Sequence, residues 1–156
     1  MKVLDNYDLQ LLQLLQENCR IPQAELGERV NLSAAAVNRR IKRMTDDGII
    51  EGFTAQIRPD ALGHPLTVIV EVVVESERID LHDTMRKSFR KCPNVQQCYY
   101  VTGESAFVLI MAVRDMAQYT QLTRELFFEN NNVKRFKSMV AMERVKFGTQ
   151  IPVTSD

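Results

Sequence analysis

The chain reads as an α+β protein in two parts, a helical N-terminal third and a longer part that alternates strands with helices. Three observations predict this. Through residues 1–52 the apolar residues recur at helical spacing, in short runs separated by turn residues. From Leu66 onward, extended and helical patterns follow one another in the order β-α-β-β-α-β. Between the two parts, Pro59 and Gly63-His64-Pro65 interrupt any regular element. The expected domains are therefore residues 1–52 and 66–156, joined by a linker at 53–65 that is strand-like from Phe53 to Ile57.

Asp5 opens the first helix, and Asp8 lies three residues on, both placed where a helix N-terminus is positive. Leu4, Leu11, Leu12 and Leu15 repeat at helical spacing through about Asn18. A second helix starts near Pro22, which suits a first helical position because its missing N–H is not needed there. Leu26 and Val30 form its inward pair, and Asn31-Leu32 is a tight turn. Ser33 is placed to cap a third helix, and Gly48 to end it with a left-handed residue. In that helix Val37, Ile41 and Met44 make one apolar stripe. Two short helices joined by a short turn, with a leucine-rich helix before them, form a tri-helical helix-turn-helix arrangement.

The outer side of the third helix carries Ala35, Asn38, Arg39, Lys42 and Arg43, with Arg40 at the border of the stripe. Ser33, Ala34 and Ala35 are small enough for close approach to base edges, and the cations suit phosphates. This face fits the major groove of double-stranded DNA, read by Ser33, Ala34, Ala35, Asn38, Arg39, Arg40, Lys42 and Arg43. An amphipathic surface helix would look similar taken alone, but would not require the two preceding helices. The whole chain has 20 Lys+Arg and 20 Asp+Glu, so any nucleic-acid surface must be local.

In the second part, Leu66, Val68, Val70, Val72 and Val74 share one strand face. Asp80 is expected to cap a helix with Leu81, Met85, Phe89 and Cys92 inward. Val95 to Val101 and Phe107 to Val113 are strands joined by the turn Thr102-Gly103-Glu104. Asp115 and Gln118 resemble a capping box, opening a helix with Tyr119, Leu122 and Leu126 inward. After the turn Asn130-Asn131-Asn132, Lys134 to Phe147 reads as a long last strand. The order is that of a ferredoxin-like fold, a four-stranded antiparallel sheet with two helices on one face. Ile69, Val73 and both faces of Phe107 to Val113 are apolar beyond what two helices can cover. The open face is thus expected to be a homodimer interface, with assembly to a tetramer or octamer open.

Three cysteines, Cys19, Cys92 and Cys98, form no CxxC and no metal-ligand spacing, which fits a reducing compartment. The segment MKVLDNYDLQ lacks a signal-peptide core, and no run is long enough to cross a bilayer, so the expectation is a soluble, cytoplasmic chain with no membrane partner.

An ordered series of motifs then resembles the Lrp/AsnC regulators, the leucine-responsive or feast/famine family. It comprises Leu4-Asp5-x-x-Asp8-x-x-Leu11-Leu12, Asn18-x-Arg20, Glu25-Leu26, Leu32-Ser33-x-x-x-Val37-x-x-Arg40-Ile41 and Gly48-Ile49-Ile50. Gly63, Val95 through Tyr99, Val101-Thr102-Gly103-Glu104, Asp115 and Val145-Lys146 continue it. The resemblance implies a transcription regulator that binds DNA as a dimer or higher assembly and responds to an amino acid or related metabolite. The effector residues it points to are Thr102, Gly103, Glu104, Ser105 and Ala106, with Ser138 of the last strand nearby. Ala106 departs from the family pattern, which commonly has an acid there, and Glu104 is the candidate partner for an effector's ammonium. Neither a cofactor nor a metal is implied. Two other readings use the same architecture or helices. A sirohaem-decarboxylase-like enzyme would need basic and histidine side chains around a tetrapyrrole, and His64 and His82 read as surface residues. A non-specific DNA-organising protein differs only in its affinity ratio, which sequence does not contain.

Overall fold

Asp5 starts the first helix through a reciprocal cap. Its carboxylate accepts from the Asp8 N–H at 2.9 Å, and the Asp8 carboxylate accepts from the Asp5 N–H at 3.2 Å, satisfying donors that a first turn leaves free. The structure, a computed structural model, describes residues 3–130 and 132–153. Helix α1 runs Asn6–Glu17, α2 Gln23–Val30 and α3 Ala34–Asp46. Pro22 takes the cap position, one residue before the helical site expected for it. Leu11, Leu26, Val30, Val37 and Met44 are buried in one core, edged by Leu4, Leu12, Leu15, Ile41 and Ile50.

The turn between α2 and α3 is tighter than its sequence suggests. Asn31 is left-handed at φ 55°, and the Leu32 N–H returns to the Gly27 carbonyl at 2.9 Å. A Cβ on Gly27 would collide with the Leu32 carbonyl oxygen, so this helical glycine is there for close approach of two backbone segments. Gly48 ends α3 at φ 73°, as expected.

Strands β1 (Leu66–Val74), β2 (Val95–Tyr100), β3 (Phe107–Val113) and β4 (Val133–Val140) form one antiparallel sheet in the order β2-β3-β1-β4. With α4 (Ile79–Lys91) and α5 (Met116–Thr123) this is the ferredoxin-like βαββαβ arrangement. Period-two alternation sends Val68, Val70 and Val72 into one core with Phe107, Leu109, Met111, Met85, Phe89, Tyr119, Leu122 and Leu126. The other face, set by the register, carries Thr67, Ile69, Glu71 and Val73 of β1, Val108, Ile110 and Ala112 of β3, and Arg135, Lys137 and Met139 of β4.

Several local expectations are corrected. The last strand ends at Val140 instead of Phe147, because its partner β1 begins at Leu66 and the ladder closes with the Ala141 N–H on the Thr67 carbonyl. Phe53 to Ile57 is irregular and enters no strand ladder, and a short 3₁₀ turn follows at Pro59–Leu62. Arg78, not Asp80, is the cap residue of α4, and the Asp80 carboxylate lies in the first turn against the Arg78 guanidinium at 2.8 Å. The inward stripe of α4 is consequently His82, Met85 and Phe89, and His82 is buried instead of lying on the surface. Its ring meets Tyr100 and Phe107 edge-on, and its Nε2 lies 3.2 Å from the Ser76 carbonyl. Helix α5 continues as a π turn over Arg124–Phe128, whose i+5 spacing brings Phe127 inward below Leu122.

The chain divides into two compact units, Met1–Ala55 with Lys146–Asp156, and Gln56–Val145. This differs from the expected domains at the C-terminus, where the tail joins the helical unit. The Gln16 amide explains it, bonding both the N–H of Ile151 at 2.7 Å and its carbonyl at 3.0 Å.

Candidate functional site

The outer face of α3 follows from its caps and its buried stripe. Ser33 accepts from the Ala36 N–H at 3.2 Å, which fixes where the helix begins. Val37 and Met44 are inside, so Ala35, Asn38, Arg39 and Lys42, spaced three, four and seven apart, are exposed together on one side. Ala34 leads this face and is exposed too. The Asn38 side-chain oxygen accepts from the Gln23 amide at 3.3 Å. Gln23 is therefore part of the surface, a contribution from α2 that helical periodicity within α3 could not reveal.

The four cations of α3 are not equivalent. Arg39 has no partner among the described residues. Lys42 reaches Asp46 at 2.8 Å, and that hydrogen bond raises its pKa. Both side chains are exposed, so solvent screens this pair and it is readily exchanged. Arg40 and Arg43 turn the other way. Arg40 reaches Asp5 at 2.7 Å and Asp8 at 2.8 Å, and Arg43 reaches Asp8 at 2.5 Å. The Asp8 side chain is only 1% exposed. Stripping a buried carboxylate of its partner costs about 3–5 kcal/mol, so these arginines hold α3 against α1 first. Burial acts to raise the Asp5 pKa, but the Asp8 N–H and the Arg40 guanidinium outweigh it and hold the carboxyl below its usual range. Asp5, and then Asp8, raise that of Arg40.

In the second unit, Thr102 to Ser105 form the turn of the β2–β3 hairpin. The Val101 N–H donates to the Ala106 carbonyl at 2.9 Å, and the Ala106 N–H donates to the Val72 carbonyl at 2.9 Å. Ala106 is buried and closes the sheet. Gly103 sits at φ 125°, with nothing near the place of a Cβ, so the turn's backbone is open to an approaching molecule. Glu104 forms an ion pair with Arg135 of β4, a residue the sequence reading did not single out. Ser138 lies elsewhere: it pairs with Val70, on the helix-covered face, and its hydroxyl bonds the Tyr119 hydroxyl. The loop thus meets Arg135 and not Ser138.

Among the described residues no group of three His, Cys, Asp or Glu could hold a metal, and no helix is long and apolar enough to cross a membrane.

Comparison with known proteins agrees with both units. Residues 4–51 match the winged helix-turn-helix DNA-binding model, and residues 67–151 match the Lrp/AsnC ligand binding domain. An uncharacterized HTH-type transcriptional regulator of Sinorhizobium fredii, y4tD, is 42% identical over 96% of this chain and 89% of its own. The leucine-responsive regulatory protein of Escherichia coli is 31% identical over 97% of this chain and 93% of its own. Among solved structures, a transcriptional regulator of Neisseria meningitidis in complex with L-Met superposes with a TM-score of 0.88 at 30% identity, covering 96% of this chain and 97% of its own. On the strength of its motifs, its two units and these full-length relatives, the chain belongs to the Lrp/AsnC family of helix-turn-helix transcriptional regulators.

Proposed function

We propose that this regulator docks α3 in the major groove of double-stranded DNA, with Ser33, Ala34 and Ala35 leading, Asn38 and Arg39 toward base edges and Lys42 toward a phosphate. The observation that carries this reading is the exposed face Ala35–Asn38–Arg39–Lys42, small at its leading end and cationic behind it. Arg40 and Arg43 lie at the margin of that face, bound to α1. Losing a base-reading Arg39 costs about 1–3 kcal/mol and relaxes preference at one position. Losing a phosphate-binding Lys42 weakens all sequences alike and flattens the salt slope by about one. DNA titrations of Arg39→Ala and Lys42→Ala across salt concentrations test the docking, and full binding by both variants refutes it.

The second unit acts as the sensing and assembly domain, and an amino acid is the effector class. The observation favouring this is the Glu104–Arg135 pair beside the Gly103 turn. Opposite charges at the surface can open to take a zwitterion, ammonium on Glu104 and carboxylate on Arg135. The neighbour crystallised with L-Met sets the chemical class to try first. Calorimetry with the twenty amino acids is the test. A bound amino acid whose affinity is unchanged by Arg135→Ala places the site elsewhere, and no binding at all retires the idea. The open sheet face is the homodimer interface in this reading, and the protein acts in the cytoplasm, where the DNA is.

A further inference from the structure

The two acids of α1 face the DNA-binding helix with more bonds than a helix cap needs. Asp8 takes three donors, the Asp5 N–H, Arg40 and Arg43, while its side chain is almost wholly out of solvent. Arg40 is held from three sides, by Asp5, by Asp8 and by the Tyr7 ring 5.4 Å from its guanidinium carbon. Resting on the reading of α3 as the DNA-contacting helix, we propose that Asp8, supported by Asp5, sets the ratio of specific to non-specific DNA binding by withholding Arg40 and Arg43 from the phosphate backbone. Asp8 is a positioning residue: it touches no DNA and acts through two arginines that would otherwise reach it.

The physical argument turns on what each cation must give up. Lys42 leaves a carboxylate that is 62% exposed, and water replaces it at once. Arg43 can leave only by depriving a carboxylate that is 1% exposed of a partner at 2.5 Å. Non-specific affinity grows with the number of phosphates neutralised, and each one adds about 0.9 to the slope of log K against log salt. Base contacts made by Asn38 and Arg39 do not enter that sum. In a base-read complex the register is fixed by Asn38 and Arg39, whereas a non-specific complex is free to take whatever register brings most cations to phosphates. Withholding two cations therefore lowers non-specific affinity more than specific affinity. The same clasp keeps α3 from sliding along α1, which holds that face at one angle.

The test uses the full chain, a random-sequence duplex and a duplex selected for tight binding to the wild type. Asp8→Asn keeps one acceptor oxygen for the Asp5 N–H, turns the other into an NH2 donor and removes the charge. It is expected to steepen the salt slope by about one to two, to bind the random duplex at least tenfold more tightly at low salt, and to narrow the ratio between the two duplexes. In the wild-type background Arg43→Gln leaves the slope unchanged, and in the Asp8→Asn background it takes about one back. A slope in Asp8→Asn equal to or shallower than the wild type overturns the proposal. So does a slope that falls by about one in Arg43→Gln alone, a measurement that decides the matter even if Asp8→Asn fails to fold. Arg39→Gln and Lys42→Gln separate the two levels. If neither changes binding, the α3 reading has failed and this proposal with it. If they act as expected while the Asp8 and Arg43 variants do not, the proposal alone is wrong.

Discussion

Replacing Gly27 by alanine tests how closely the turn before α3 is packed. Two opposing effects set the magnitude. Alanine in a helix interior gains about 1 kcal/mol over glycine, and residue 27 is helical. Against this, the new Cβ would lie closer to the Leu32 carbonyl oxygen than the 3.0 Å that real Cβ atoms keep, with the Leu32 carbonyl carbon at 3.4 Å and the Ala34 nitrogen at 3.5 Å. Overpacking costs about 1–3 kcal/mol, and the upper end applies because the obstacle is backbone, which cannot rotate away like a side chain. The net expectation is a loss of about 2 kcal/mol, which lowers the melting temperature of a unit this small by roughly 10 °C. Thermal unfolding followed by circular dichroism, with amide exchange in α2 and α3 to identify the melting unit, reads it directly. Gly52→Ala is the control: nothing lies within 4 Å of its Cβ position, and its stability should move by less than about 0.5 kcal/mol. The displaced Leu32 carbonyl also precedes the Ser33 cap, so the surviving fold should bind DNA more weakly. A Gly27→Ala protein that melts at or above the wild type would refute the reasoning.

Two further outcomes follow from the second unit. Asp115 caps α5, and the Gln118 N–H first, then the Arg114 guanidinium, hold its carboxyl below the ordinary 3.8. A lowered folded-state pKa means stability that is present above the ordinary value and lost as pH falls through the folded one, so the melting temperature should drop as the pH falls below about 4. Asparagine caps without titrating, so Asp115→Asn should show a shallower drop, and an identical drop shows that the carboxylate is not responsible. Val73→Asp puts a charge on the open sheet face opposite Arg135. It should convert a wild-type dimer at micromolar concentration into monomer by light scattering, and a wild-type chain that is already monomeric removes that interface.

What the sequence revealed follows the periodicity of each element. Val68, Val70 and Val72 alternate cleanly because one face of β1 is wholly covered, and Leu11, Val37 and Met44 mark helix faces in the same way. Ends were harder, since they depend on neighbours distant in sequence. β4 stops where β1 runs out, 74 positions back at Leu66, and nothing within residues 134–147 signals that. The inward face of α4 was misjudged by one residue because Leu81 is the better hydrophobe. The helix instead turns His82 inward, where two aromatic edges and the Ser76 carbonyl satisfy it. Gly27 gave no signal, because an isolated glycine in a helical pattern looks like a weak helix former until its neighbour is known.

The outer face of α3 was legible as a position and misleading as a charge. Periodicity alone placed Asn38, Arg39 and Lys42 outward, since three buried or half-buried residues, Val37, Ile41 and Met44, fix the rotation of α3. It could not distribute the four cations, because Asp5 and Asp8 have a complete local explanation as first-turn acids of α1. The structure gives those acids a second role at the same time: the Asp8 carboxylate accepts one backbone donor at its own helix end and guanidinium donors from a helix more than thirty residues away. A carboxylate has lone pairs enough for both, so the cap does not compete with the clasp. Counting basic residues on a helix therefore overstates its charge toward DNA whenever a neighbouring helix begins beside it with acids. In this chain the count of four falls to Arg39 and an exchangeable Lys42, and in the proposed docking that weights the surface toward Asn38 and Arg39, the side chains placed to read bases.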